Sequence, residues 1–240
     1  MTFNQSEYDI KLEWGLHGIE QLTSVSDVII IVDILSFSTC VDIAVSHGAI
    51  IYPYRYKDES AIEYAKSLNA ELADANRNSE GFTLSPLSLK NIPPGTKLVL
   101  PSPNGATLSL ATGNVTTICG GLRNPNAVAE YAMSIGKSIS VIPAGEKWQD
   151  GSLRFAIEDY IGAGAIISYL KGILSPESKS ALAVYQSVKE NLLEEIKKCS
   201  SGKELVERGF EEDVNLACEF NVSECVPFLK NGAYENIRSL

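Results

Sequence analysis

Positive charge, histidine and long apolar runs are all scarce in this chain, and each shortage excludes something. Against 30 Asp and Glu there are 20 Lys and Arg, a formal net charge of −10 at pH 7, which argues against nonspecific nucleic-acid binding and against adhesion to anionic membranes. An anionic ligand would therefore need a local cationic pocket or a metal. The two histidines, His17 and His47, fall outside the loops singled out below, so a Ser-His-Asp hydrolase is not indicated. Cysteine is limited to Cys40, Cys119, Cys199, Cys218 and Cys225, an odd number without C-x-x-C spacing, which reads as reduced structural thiols rather than a zinc site. Neither G-x-x-x-x-G-K-[ST] nor G-x-G-x-x-G occurs, leaving nucleotide-dependent chemistry without support. No apolar run approaches the roughly 20 residues that cross a bilayer. Residues Met1 to Glu7 have neither the basic start nor the apolar stretch of a secretory signal, so the expected location is the cytoplasm.

What is present is an ordinary globular composition, 240 residues with 45% apolar and 21% charged, enough for a sizeable core. The expectation is one α/β domain over residues 1–240, or two closely packed lobes. Four runs of β-branched and apolar residues, Val28 to Val32, Lys97 to Leu100, Val115 to Ile118 and Ser138 to Ile142, each break off into small, polar and charged residues. Between them lie helical patterns: Ser38 to His47, a stretch after Asp58 with Ala61, Ala65 and Leu68 on one face, and a helix opened by Asn124-Pro125 and stopped by Gly136. Further on come Leu153 to Leu170, Ser175-Pro176 to about Lys198, and a capping-box start at Ser201-Gly202-Lys203-Glu204 ended by Gly209. The tail from Glu211 reads as helical and then irregular. Strands alternating with helices predict βαβ units, hence a three-layer α/β/α fold with a mainly parallel sheet. The four strand ends should share one edge and form a ligand crevice there.

Asp33 stands out in that crevice because a carboxylate directly after five core residues is costly unless used or paired. The alternative is a plain N-cap, a task that Ser36, Ser38 or Thr39 would serve equally well. A helix starting behind those hydroxyls would point free N–H groups at an anion such as phosphate, and the same holds after Asn124. Ser102, Asn104 and Gly105 form a tight turn after a strand, with an amide that both donates and accepts; Asn-Gly is also a common plain turn. Glu158 and Asp159 are adjacent acids in an apolar helical stretch and invite a Mg²⁺ reading with Asp33, although Arg154, four residues before Glu158, allows a simple helix-surface ion pair instead. Arg123, Arg154, Glu146 and Lys147 bring charge of both signs to the loops, where cations would grip an anion.

At these residues the chain resembles the 2-phosphosulfolactate phosphatase family over nearly its whole length. The resemblance rests on Ile31-Val32-Asp33-Ile34-Leu35, Leu84-Ser85-Pro86, Ser102-Pro103-Asn104-Gly105-Ala106-Thr107, Arg123-Asn124, Ala144-Gly145, Glu158-Asp159 and Gly162-Ala163-Gly164, with Gly209 and Asp213-Val214 fitting the family's tail. It implies a Mg²⁺-dependent phosphomonoesterase, acting on the route to coenzyme M, that takes a small anionic phosphorylated substrate. On that reading Asp33 with Glu158 or Asp159 holds the metal, and Arg123 or Arg154 neutralises the phosphoryl oxygens. Asn104 orients the group, while Ser36, Ser38, Thr39, Ser102, Gly105, Asn124, Glu146 and Lys147 line the substrate site. The chain departs from better-known members at Ser36, where they carry arginine, and at Ala75-Asn76-Arg77, where they read Gly-Glu-Arg. The alternatives are a phosphatase for another small phosphorylated acid and a non-catalytic anion-binding homologue. A homodimer is expected, as for many soluble enzymes of this size.

Overall fold

The computed structural model describes residues 3–237; Met1 and Thr2 of the N-terminal segment lie outside the described residues. In chain order the first half runs β1 (Ile10–Leu12), α1 (Gly15–Leu22), β2 (Val28–Val32), α2 (Phe37–Ser46), β3 (Ile50–Tyr54), α3 (Ser60–Leu68), β4 (Glu71–Leu72), α4 (Pro86–Leu89), β5 (Lys97–Pro101) and α5 (Gly105–Ser109). Then follow β6 (Thr116–Cys119), α6 (Pro125–Ile135), β7 (Ile139–Pro143), β8 (Glu146–Lys147), β9 (Leu153–Arg154) and α7 (Ile157–Ile167). Last come α8 (Pro176–Val188), α9 (Leu192–Lys198), α10 (Ser200–Glu207), α11 (Glu211–Ala217), β10 (Pro227–Lys230) and β11 (Ala233–Asn236).

Among the described residues nine strands form one sheet in the order β1-β7-β2-β6-β10-β11-β3-β5-β4. It consists of two parallel blocks, β1-β7-β2-β6 and β3-β5-β4, joined by the antiparallel hairpin β10–β11. Helices cover both faces, giving the expected three-layer α/β/α arrangement with a mainly parallel sheet. Strand alternation decides what each face buries. Val28, Ile30 and Val32 of β2 pack with Ala127, Val128, Ile161 and Ile166 of α6 and α7. Ile29 and Ile31 pack on the opposite face with Ile19 and Leu22 of α1. A separate core around Phe37, Val41, Ile51, Leu98, Leu100 and Tyr234 fills the second block and its hairpin. Gly164 explains the small-residue stripe of α7: a Cβ there would lie 2.1 Å from the Ala181 carbonyl oxygen of α8, so only glycine lets the two helices approach this closely.

The tail is where expectation and structure part most. The irregular stretch contains β10 and β11, short strands whose pairing partners are far away in sequence, at Ile118 and Ile51. The helix expected over Leu153 to Leu170 starts only at Ile157, because Leu153 and Arg154 pair with Lys147 and Glu146 in a small hairpin. Arg154 is therefore not on the helix of Glu158, and the helix-surface pair is absent. The long helix to Lys198 is interrupted by a 3-10 turn at Lys189–Asn191. The last expected helix begins at Ser200, where Cys199 Sγ, not Ser201, accepts the Gly202 N–H. Among the described residues no helix is long and apolar enough to cross a membrane.

Candidate active site

Asp33 follows β2 directly and is 6% exposed. Its Oδ1 accepts the Phe37 N–H at 3.2 Å, at the start of α2, and its Oδ2 accepts the Gly105 N–H at 2.9 Å from the loop after β5. That second bond matters for topology. The three antiparallel pairings between β6 and β3 put β2 and β5 in opposed blocks, so the expectation that β5 shares one simple parallel edge with the other strands is corrected. The two strand ends meet nonetheless, at the bond from the Gly105 N–H to Asp33 Oδ2.

The hydroxyls behind Asp33 do not cap α2. Ser38 Oγ donates to the Asp33 carbonyl at 2.7 Å and Thr39 Oγ1 to the Ile34 carbonyl at 2.8 Å. The first N–H groups of α2 are likewise taken, Phe37 N–H by the Asp33 carboxylate and Ser38 N–H by its carbonyl. They are thus not a vacant anion cradle.

Around Asp33 lies a cavity of about 320 Å³, lined by Ser36, Ser102, Asn104, Glu146 and Lys147 together with Lys57, Arg77, Ser201, Glu204 and Arg208. Asn104 Nδ2 donates to Glu146 Oε2 at 2.9 Å, spanning the gap between the β5 and β7 loops. Burial raises the Asp33 carboxyl to about 7, and the Glu146 charge pushes the same way while the two N–H donors pull it down. Burial also raises Glu146. Asp159 lies well above the usual carboxylate range through burial, helped by the charges of Asp33 and Glu158. A concentration of desolvated acids whose protonation is displaced toward neutrality makes this cleft the candidate site.

The remaining expected residues divide. Asp159 faces inward but spends both oxygens on backbone, Oδ1 on the Ile34 N–H at 2.8 Å and Oδ2 on the Gly145 N–H at 2.9 Å. It braces the two segments that carry Asp33 and Glu146. Glu158, also buried, receives the Cys199 thiol at 3.4 Å. Arg154 donates to Ser201 Oγ at 3.1 Å and stacks 5.9 Å from the Trp148 ring, and its charge offsets part of the rise that burial imposes on the Glu146 carboxyl. The structure places Arg123 elsewhere. Its Nε bonds Asp42 at 2.9 Å and its Nη1 bonds Glu219 and the Leu216 carbonyl, beside a different cavity lined by Ser46 and Ser223. Asn124 is fully buried, its amide spanning the Gly121 N–H and the Cys225 carbonyl. Both residues tie the C-terminal segment to the sheet rather than line the crevice.

Three cations that do line it went unread. Lys57 follows β3, so the rule that found Asp33 would have found it. Arg77 bonds Asp213 at 2.7 Å and Ser36 Oγ at 3.2 Å. Arg208 comes from the end of a helix, where no strand rule applies. Among the described residues no group of three or more His, Cys, Asp or Glu side chains is arranged to hold a metal ion.

A three-layer α/β/α protein with a crevice of mixed charge at its strand ends is the class that fold and site define. The chain belongs to the 2-phosphosulpholactate phosphatase family, a family of phosphoric monoester hydrolases, which it matches over residues 17–232. It is similar to a probable 2-phosphosulfolactate phosphatase of Thermotoga maritima, 33% identical over 214 residues, covering 85% of this chain and 90% of that protein. It is also similar to a probable 2-phosphosulfolactate phosphatase of Carboxydothermus hydrogenoformans, 31% identical over 218 residues with 87% and 89% covered. The 2-phosphosulfolactate phosphatase of Methanothermobacter thermautotrophicus is 30% identical over 215 residues, with 88% and 90% covered.

Proposed function

We propose that this chain is a Mg²⁺-dependent phosphomonoesterase that hydrolyses 2-phosphosulfolactate to sulfolactate and inorganic phosphate in the crevice floored by Asp33. The observation that carries the reading is a buried carboxylate, fixed by two backbone N–H groups, at the base of a cavity that Lys57 and Arg77 also line.

The donor set suits Mg²⁺. Asp33 and Glu146 offer hard oxygen ligands in one cavity, and their raised protonation is what a divalent cation would relieve. Mg²⁺ commonly takes one or two carboxylates and completes its shell with water and substrate phosphate, so a cluster of three acids is not required. Glu146 thus takes the place expected of Glu158 or Asp159, because it lines the cavity beside Asp33 and they do not. When bound, the metal would supply Lewis-acid neutralisation of the phosphoryl oxygens. This chain's own groups do the rest. Lys57, whose ammonium interacts with Asp33 and Glu146, offsets phosphoryl charge in the role first expected of Arg123. Asn104, anchored on Glu146, orients the group for in-line displacement. Hydrolysis breaks the ester P–O bond, water supplies the new oxygen on phosphorus, and the proton passes to the departing alkoxide. The cytoplasmic location and the homodimer belong to this proposal too, and fractionation and light scattering test them.

The test is phosphate release by the purified protein from 2-phosphosulfolactate, phospholactate and other small esters, with Mg²⁺ and with EDTA. Mg²⁺-dependent release from 2-phosphosulfolactate is expected. Release from a different phosphorylated acid alone would overturn the substrate. No release from any ester, with a rise in Tm on adding one, would instead identify an anion-binding protein without turnover.

A further inference from the structure

One ring holds two of the crevice's cations. The guanidinium carbon of Arg77 lies 5.4 Å from the centroid of Phe210, and that of Arg208 lies 5.6 Å from the same centroid. Both arginines also line the cavity above Asp33. Phe210 sits in the short segment between α10 and α11 and draws together Arg208, at the end of α10, and Arg77, from the segment after β4, whereas Asp33, Asn104 and Glu146 come from other strand ends.

Two like charges gathered at one ring are costly without a counter-ion. Those present satisfy them only in part. Arg77 spends two of its five N–H groups, one on Asp213 and one on Ser36 Oγ, and its side chain is 12% exposed, so its orientation is fixed. Arg208 donates to Glu204 Oε1 at 2.9 Å. Both members of that pair are more than half exposed, and such pairs contribute little and exchange readily for a better anion. A planar guanidinium that is already oriented by a ring and retains free donors is suited to bidentate recognition of a carboxylate or sulfonate. The phosphoryl end of a substrate belongs with Asp33 and Asn104, so the Arg77–Arg208 pair is left for a second anionic group.

We propose that Arg77 and Arg208, held on Phe210, form a subsite that recognises a carboxylate or sulfonate on the non-phosphate part of the substrate and so selects phosphorylated acids over neutral phosphate esters. This rests on the phosphatase reading above and adds the feature that determines its substrate class. Arg77 acts from a fixed position tied to Asp213, and Arg208 closes on the ligand by exchanging Glu204.

The test uses Arg208→Ala and Phe210→Leu in the full chain, because Arg77 is too embedded for its loss to be clean. The readout is the ratio of kcat/KM for each acid ester to kcat/KM for isopropyl phosphate, which has no second anion. The acid esters are 2-phosphosulfolactate, which has both groups, and phospholactate, which has only the carboxylate. Arg208→Ala is expected to lower the ratio at least tenfold, through KM, and Phe210→Leu to lower it by a smaller factor. A fall for both acid esters assigns the carboxylate; a fall for 2-phosphosulfolactate alone assigns the sulfonate. Ratios within twofold of wild type in both variants would overturn the proposal. Should the wild type hydrolyse none of the esters, the phosphatase reading fails separately, and calorimetric binding of sulfolactate decides the subsite. At least tenfold weaker binding in Arg208→Ala supports it, and equal binding overturns it.

Discussion

The two strand blocks contribute differently charged residues to one crevice, acids with Lys147 beside them on one side and cations without acids on the other. The block β1-β7-β2-β6 and the segments that follow it bring the acids, Asp33 after β2 and Glu146 after β7, with Glu158 and Asp159 buried at the start of α7 outside the lining. The block β3-β5-β4 brings Lys57 after β3, Arg77 after β4, and Ser102 and Asn104 after β5. Charge is handled differently on the two sides. On the basic side Arg77 is discharged against Asp213, which also accepts from Ser85 Oγ at 2.6 Å and the Leu87 N–H at 3.1 Å. On the acidic side Asp33 and Asp159 receive only backbone N–H donors and repel each other, and their protonation is displaced upward. The ion pair holds Arg77 in place while leaving it N–H groups to spare, whereas the acidic side gathers desolvated charge of one sign.

That contrast has a pH signature, which is the largest effect expected. The folded Asp33 carboxyl titrates at about 7, above its unfolded value. Between about pH 4 and 7 the native state therefore keeps a proton that the unfolded chain has released. Stability should fall as pH rises through that window and level off above it, by an amount on the order of 4 kcal/mol if Asp33 acts alone. Urea denaturation at a series of pH values without Mg²⁺ measures this. A flat profile from pH 4 to 7 would break the distinction between the two sides, and a fall that Mg²⁺ reduces would sharpen it.

A smaller effect is expected where the blocks touch. A Cβ on Gly105 would lie 2.3 Å from Phe37 Cδ1 and 2.8 Å from Asp33 Oδ2, and Phe37 is fully buried with no room to retreat. Gly105→Ala should cost about 1–3 kcal/mol through overpacking and should reduce phosphate release disproportionately, because it displaces Asp33. Wild-type stability and activity in that variant would mean that the two blocks do not depend on this junction.

Much of this arrangement was legible in the sequence. Apolar runs ending in polar loops located β2, β5, β6 and β7 within a residue, since a strand buried on both faces must be apolar throughout. The same rule placed Asp33, Ser102, Asn104, Glu146 and Lys147 in one crevice. It failed where a residue's surroundings are set by distant chain. Phe228 and Tyr234 lie in strands that exist because Ile118 and Ile51 are free to pair with them, and no local pattern records that. Leu153 and Arg154 are compatible with a helix by composition, but pairing with Glu146 and Lys147 wins. Arg123 has the charge of an anion clamp, and only the fold shows Asp42 and Glu219 beside it. Arg208 was unreadable for the converse reason: an exposed arginine in a polar helix carries no mark of the cavity it lines.

Turnover is expected to depend on Asp33 above any other group. Asp33→Asn keeps the shape of the side chain and removes its charge, so the protein should fold while Mg²⁺-dependent phosphate release from 2-phosphosulfolactate falls at least about a thousandfold, some 4 kcal/mol in the barrier. Parallel circular-dichroism melts show whether the fold is intact. Release within a fewfold of wild type from the folded variant would contradict the account.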